Sequence, residues 1–392
     1  MNMKKMMTVI LAASMTASMT GAAVMADEGA IKIGGSGPLT GPAAVYGTAV
    51  KNAATMAVEE INAQGGLQFE LQFEDDAHDA EKAVNAYGVL KDWGMQVSLD
   101  TVTSKPAEAV APNYADDHIF AITPSGSSLA VIYADVDNME DPYGNIFQMC
   151  FTDPNQGVAS ADYLSEHTDL GTKIAVIYKN DDTYSSGIYE KFEEEAGEVG
   201  LEIVYAGTFN DQSAQDFSVQ LGDAQAAGAD VVFLPIYYDP ASLILNQANK
   251  MGYAPTFFGV DGMDGILTLE GFDTSLAEGV YLLTPFNADA EDELTKNFVE
   301  NYKAKYNGEI PNQFAADAYD CVYAIAQACE AAGVTADMDS SEICDLMIEQ
   351  FTSMTFDGLT GEGMTWSETG EVSKSPKAMV IQDGAYVGVQ ED

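Results

Sequence analysis

The sequence predicts an α/β protein whose sheets are mainly parallel, with helices on both faces. Three observations predict it. Apolar runs of strand length alternate with helical segments along most of the chain, the pattern of consecutive βα units. That alternation runs once to about residue 122 and starts afresh near residue 173, which predicts two sheets. A chain of 392 residues also accommodates two domains of the usual ~100–200 residues each.

The elements follow in order. Residues 31–33 are an apolar strand that enters a glycine-rich turn and then a helix, closed by Gly65-Gly66. Residues 71–74 read as a strand and 79–91 as a helix. A second helix at 106–116 precedes a short buried strand at 120–122. The second run has strands at 173–178, 201–208, 231–234 and 256–259, separated by helices at 187–199, 217–227 and 241–251. After a strand at 279–283 come helices over 291–305, 315–331 and 341–351. The end is a hairpin, 378–381 with 386–389, turned at Asp383-Gly384, a strong turn signal between apolar runs.

The first turn excludes two functions. Its glycines, Gly35, Gly37 and Gly41, are one residue too widely spaced for a dinucleotide fingerprint. Pro38 and Pro42 remove backbone donors that a pyrophosphate would use. No Gly-Lys-Ser/Thr follows, so there is no phosphate-cradling loop. What remains is a flexible turn at the carboxyl end of a strand, where open α/β sheets bind ligands.

Charge narrows the partners. Asp and Glu total 62 against 16 Lys, with no Arg, for a formal net charge of -46. Nucleic acid is excluded as a partner, because phosphate binding needs basic patches, and anionic membrane surfaces are disfavoured likewise. Without Arg, a ligand carboxylate must be held by backbone N–H groups, hydroxyls or Lys. The first 26 residues read as an export signal: Lys4 and Lys5, an apolar stretch, then small residues to Ala26. That segment is too short to span a bilayer. It holds no Cys for a lipid anchor, so an exported protein of the periplasm or cell envelope is expected. The 4 Cys, at 150, 321, 329 and 344, form no C-x-x-C pair. Cys329 and Cys344, on consecutive helices, are the pair able to meet as a disulfide.

Catalysis finds little support. The 3 His stand in no metal-ligand spacing, and there is no G-x-S-x-G elbow. No cofactor or metal is expected. Paired carboxylates leave an envelope hydrolase open as an alternative.

Binding finds more. Thr101, Thr103 and Ser104 precede a helix start, where the dipole favours an anion; ordinary capping by Ser104 reads equally well. Thr123 to Ser128 form a hydroxyl-rich turn after a strand. Asp261 follows a strand in Gly259-Val260-Asp261-Gly262, which places it at a sheet's carboxyl edge or in a plain turn. Tyr46, Tyr184, Tyr237, Tyr238 and Phe314 lie near strand ends rather than in helical stripes.

The Gly-Pro-Leu-Thr-Gly loop, the Gly-Val-Asp-Gly turn and the Ala-Tyr-Asp helix occur in one order that resembles the branched-chain amino-acid-binding proteins of ABC importers. The resemblance covers essentially the whole chain after residue 26. It implies a two-lobed type I periplasmic binding fold, each lobe a parallel-sheet βα sandwich, with three hinge crossovers near 147–151, 281–285 and 358–366. Lobe one would combine 27–148 with 284–358, and lobe two 149–283 with 359–392. It implies a monomer that binds a small molecule, an L-amino acid with a branched-chain or other hydrophobic side chain, and hands it to a permease. Sensors of amides, urea or aromatic acids share the architecture and remain the alternative. By the same resemblance Thr101, Ser125 and Ser127 hold the ligand carboxylate end. Asp261, where many relatives carry Glu, receives the ammonium. Tyr184 and Tyr238 close over the ligand, with Tyr237 as the alternative register, and Tyr46 and Phe314 line the side-chain pocket. Many relatives carry a disulfide at the positions of His78 and Asp100, which are expected here to form a charge-assisted pair.

Overall fold

The computed structural model describes residues 29–136 and 138–389; the predicted export signal lies outside them. The first sheet is formed by β1 (Ile31–Gly37), β2 (Phe69–Asp75), β3 (Val97–Ser98), β4 (Ala121–Thr123) and β5 (Ile146–Gln148). All are parallel, in the order β2-β1-β3-β4-β5. Its helices are α1 (Ala44–Gln64), α2 (Ala80–Trp93) and α3 (Ser104–Asp117). Asp79 caps α2 by accepting from the Lys82 N–H, and Gly94 ends it in the left-handed region, a start and stop that the sequence spells out.

Helix α4 (Asp153–Glu166) then leads into the second sheet. Its strands are β6 (Lys173–Lys179), β7 (Glu202–Phe209), β8 (Val231–Leu234), β9 (Thr256–Gly259) and β10 (Tyr281–Thr284). Strand β8 reads Val-Val-Phe-Leu and is buried throughout, as a parallel strand covered on both faces must be. The helices between are α5 (Thr183–Val199), α6 (Ser218–Ala227) and α7 (Tyr238–Met251). Helices α8 (Glu293–Lys305), α9 (Gln313–Ala332) and α10 (Ser340–Phe351) come next, but α9 packs along α1 and α10 against β3, beside the first sheet. The chain returns to the second sheet as β11 (Lys377–Gln382) and β12 (Ala385–Gly388). Both run antiparallel, in the order β12-β11-β10-β9-β8-β6-β7. The predicted Asp383-Gly384 turn joins them with both residues at positive φ, 52° and 74°.

The chain therefore passes between the sheets three times, after β5, after β10 and after α10. The last passage is fastened from inside. Lys374, whose side chain is fully buried, donates to Asp317 Oδ1 at 2.8 Å and to Thr360 at 2.6 Å. Asp320 accepts the Leu359 and Thr360 N–H groups, each at 2.9 Å. Trp366 donates its indole N–H to the Gln148 carbonyl at 2.9 Å, which ties the third passage to the first.

Two side-chain expectations are corrected. His78 does not pair with Asp100: its Nδ1 meets the Thr103 hydroxyl at 2.9 Å. Asp100 is fully buried, and its oxygens lie by the Thr101 amide without a well-formed hydrogen bond. Both residues sit at positive φ, 59° and 52°, so the backbone turns their side chains apart. Cys329 and Cys344 are free thiols, as are Cys150 and Cys321; the Cys329 Sγ packs on the Met347 sulfur at 3.6 Å.

Candidate functional site

In an open parallel sheet the crevice forms where strand order reverses direction, outside the carboxyl ends. In the first sheet β1 lies between β2 and β3, so the loops after β1 and β3 part there. In the second, β6 lies between β7 and β8, and the loops after β6 and β8 part likewise. These loops lead to Tyr46, Thr103, Tyr184 and Tyr237, and the two sets face one another.

Between them is a cavity with about 10 Å³ of open space, lined by Tyr46, Val102, Thr103, Ser125, Tyr184, Tyr237, Asp261, Gly262 and Phe314. Surface depressions of about 710 and 670 Å³ lie elsewhere, but neither gathers aromatic rings around a buried acid. The cavity is smaller than the ~300–1,000 Å³ of ordinary ligand sites, because side chains already cross it. The Tyr46 hydroxyl donates to the Gly262 carbonyl and accepts the Tyr238 N–H at 3.2 Å. Its ring lies 4.3 Å from Phe314 and 5.5 Å from Tyr237. Tyr46 can stand there because α1 approaches its own entry loop closely: a Cβ on Gly47 would come within 2.2 Å of the Pro38 carbonyl oxygen.

Asp261 opens a single 3-10 turn directly after β9. Its Oδ1 accepts the Tyr184 hydroxyl at 2.5 Å, and the Tyr184 oxygen accepts the Gly262 N–H at 2.9 Å. Burial raises the Asp261 carboxyl to about 6, while the bond from Tyr184 and the nearby Gly262 N–H hold it below what burial alone would give. Tyr184 is placed by the start of α5, where Asp182 caps the helix. Its ring stacks on Tyr237 at 4.7 Å and 12°.

Of the predicted site residues, Tyr46, Ser125, Tyr184, Asp261 and Phe314 meet at the cavity. Three lie off its lining. Thr101 is buried with its hydroxyl toward the Thr103 carbonyl, and its own carbonyl accepts from Thr123. Ser127 is buried beside Asp153. Tyr238 begins α7 and packs its ring on Tyr46 at 4.9 Å. Tyr237, the alternative register, takes the lining position instead.

Sequence reasoning grouped Thr103 with Thr101 and Ser104 at the helix start but singled out Thr101 from that cluster, whereas Val102 and Thr103 line the cavity. Thr103 is the N-cap residue of α3 but makes no side-chain cap bond; its hydroxyl is taken by His78. The cap position was the available signal. Among the described residues no group of three or more His, Cys, Asp or Glu is placed to hold a metal ion, and no helix is long and apolar enough to cross a membrane.

Two parallel sheets with facing switch points, and a crevice walled by hydroxyls and one buried acid, have the form of an extracytoplasmic solute binder. Residues 30–385 match the family described as periplasmic binding protein, and the chain belongs to that family, whose members bind substrates and are not enzymes. The chain is 28% identical to the Leu/Ile/Val-binding protein homolog 3 of Brucella melitensis over the full length of both chains. It is 28% identical to a leucine-, isoleucine-, valine-, threonine- and alanine-binding protein of Pseudomonas aeruginosa, over 77% of this chain and 79% of that one. Among solved structures it resembles LivJ, a branched-chain amino acid transporter substrate-binding protein of Streptococcus pneumoniae determined with isoleucine. There the TM-score is 0.79 and the identity 28%, covering 92% of this chain and all of that one.

Proposed function

We propose that the protein binds an L-amino acid with a branched-chain or other hydrophobic side chain in the crevice between the sheets, and delivers it to the permease of an ABC importer. The observation that carries the proposal is Asp261. It is a buried carboxylate bonded to Tyr184 and opposite a wall of neutral hydroxyls and amides, the polarity a zwitterion requires. Ser125, Thr103 and the N–H groups of their loops receive the carboxylate, and Asp261 receives the ammonium. Tyr46, Tyr237 and Phe314 surround the side chain.

The working unit is two lobes, 27–148 with 284–358 and 149–283 with 359–392, which hinge on the three passages. The ligand enters when the lobes part and shifts the equilibrium toward closure. The protein acts as an exported monomer. Calorimetry and thermal unfolding with the twenty standard amino acids test the proposal. At 100 times Kd a ligand adds about 2.7 kcal/mol of stability, so a true ligand raises Tm by several degrees. No heat and no shift with any of the twenty would end the reading.

A further inference from the structure

Thr103 lines the cavity, and the direction of one hydrogen bond decides what its hydroxyl can do there. It is the N-cap residue of α3 yet makes no side-chain cap bond. A cap hydroxyl accepts from the N–H of the second or third helical residue, and the third here is Pro106, which has none. The hydroxyl turns instead to His78, whose Nδ1 lies 2.9 Å away.

The surroundings of His78 fix that bond. Ala77 and His78 both stand at positive φ, 48° and 59°, and the buried Asp76 accepts the His78 N–H at 2.9 Å. The ring is held from the opposite wall as well, edge-on to Tyr237 at 5.5 Å and 88°. It is therefore pinned on both sides when the walls meet. Burial draws the imidazole below its ordinary value, while Asp182 and Asp211 pull it up and Lys179 and Lys105 push it down. The ring is neutral at pH 7.5, with a proton on one nitrogen only.

A hydroxyl carries one proton and two lone pairs. A bare Nδ1 would take the Thr103 proton, and the oxygen would then show the crevice only lone pairs, which repel a carboxylate. A protonated Nδ1 donates to the Thr103 oxygen and leaves the hydroxyl proton to the ligand. We infer that His78 is a positioning residue for the carboxylate end of the ligand: its Nδ1–H form aims the Thr103 hydroxyl proton into the crevice. The inference rests on the amino-acid reading above. His78 lies outside the cavity lining and acts through Thr103.

The test is a double-mutant cycle by calorimetry with L-leucine at pH 7.5, with thermal unfolding to verify folding. His78→Phe keeps a ring against Tyr237 and removes Nδ1; it should weaken L-leucine about fivefold, the worth of one bond. Thr103→Val should cost the same, and the double variant no more than either, because both remove one contact. His78→Asn tolerates positive φ and offers an amide N–H near the Nδ1 position, so it should stay within about twofold of the wild type. Losses that add, to about 25-fold in the double variant, would overturn the inference, as would a His78→Phe variant that binds as the wild type does. If the variants do not fold, nitrogen NMR of the wild type with L-leucine decides. Among the 3 His, His78 should carry its proton on Nδ1, and a proton on Nε2 would overturn the inference. A wild type that binds no L-leucine would defeat the proposed function itself, and this inference with it.

Discussion

The two walls of the crevice share one architecture and carry opposite chemistry. Each is a set of loops at a switch point of a parallel sheet. The wall from the first sheet presents Thr103 and Ser125, neutral groups already bonded to protein partners. The wall from the second presents a carboxylate and two stacked tyrosines. The first sheet also has buried acids, but they are turned away from the cavity: Asp100 is raised to about 8 and Asp76 to about 6, chiefly by burial. The contrast teaches that in a chain without Arg the acid facing the crevice is held lower than the Asp100 carboxyl behind the neutral wall. Asp261 sits lower than Asp100 because Tyr184 donates to it, with the Gly262 N–H close by.

The contrast breaks most sharply at Asp261. Asp261→Asn should weaken L-leucine about 100-fold, since an ammonium is then buried against a neutral amide; calorimetry at pH 7.5 checks it. The wild type should also lose affinity as pH falls through about 6, because the protonated acid no longer offers a counter-charge. The Asn variant should show no such loss. Next comes Asp100. Its folded value stands above the ordinary carboxylate range, so protons favour the fold, and its cost grows as pH rises from about 4 toward 8. Asp100→Asn keeps a residue that tolerates positive φ. It should stabilise by about 2 kcal/mol at pH 8 and by little at pH 4, read from urea unfolding at the two pH values. On the neutral wall, Thr103→Val and Ser125→Ala should each cost about fivefold in L-leucine affinity without changing its pH profile. Smallest is Tyr238→Phe. That hydroxyl only accepts the Val45 N–H at 3.4 Å, so the Kd should move less than about twofold.

Much of the fold was legible because its strands are buried on both faces and read as plain apolar runs, such as Val231–Leu234 and Thr256–Gly259. Strands β3 and β5, with two and three residues, are too short to show any period. Helix α4 escaped because its buried face is Asp153, Gln156, Gly157, Ser160, Ala161 and Leu164, with one large apolar side chain among them. It lies so close to α5 that a Cβ on Gly157 would come within 2.5 Å of the Ile188 carbonyl oxygen. A face of small and polar residues carries no hydrophobic stripe. Thr152 and Pro154, at its cap and first turn, were the readable signal. The candidate site divides in the same way. Tyr46, Ser125, Tyr184, Asp261 and Phe314 were legible from strand ends and resemblance. That Thr103 rather than Thr101 faces the cavity was not legible, because the positive φ of Asp100 interrupts the alternation that would tell which way side chains face after β3. Tyr237 and Tyr238 straddle a helix start, and there a one-residue step turns a ring from the cavity to the packing behind it.

The chain has only 2 tryptophans, and their placement makes the molecule its own optical gauge. Trp366 is buried where the third passage between the sheets meets the first, bonded to the Gln148 carbonyl and edge-on to Phe351 at 4.8 Å. Trp93 sits at the margin of the first sheet beneath the Lys32 ammonium, 5.0 Å from its ring. If the lobes swing as proposed, the surroundings of one indole change and those of the other do not. Emission from Trp366 would then follow opening and closing in unlabelled protein, with Trp93 as a built-in reference.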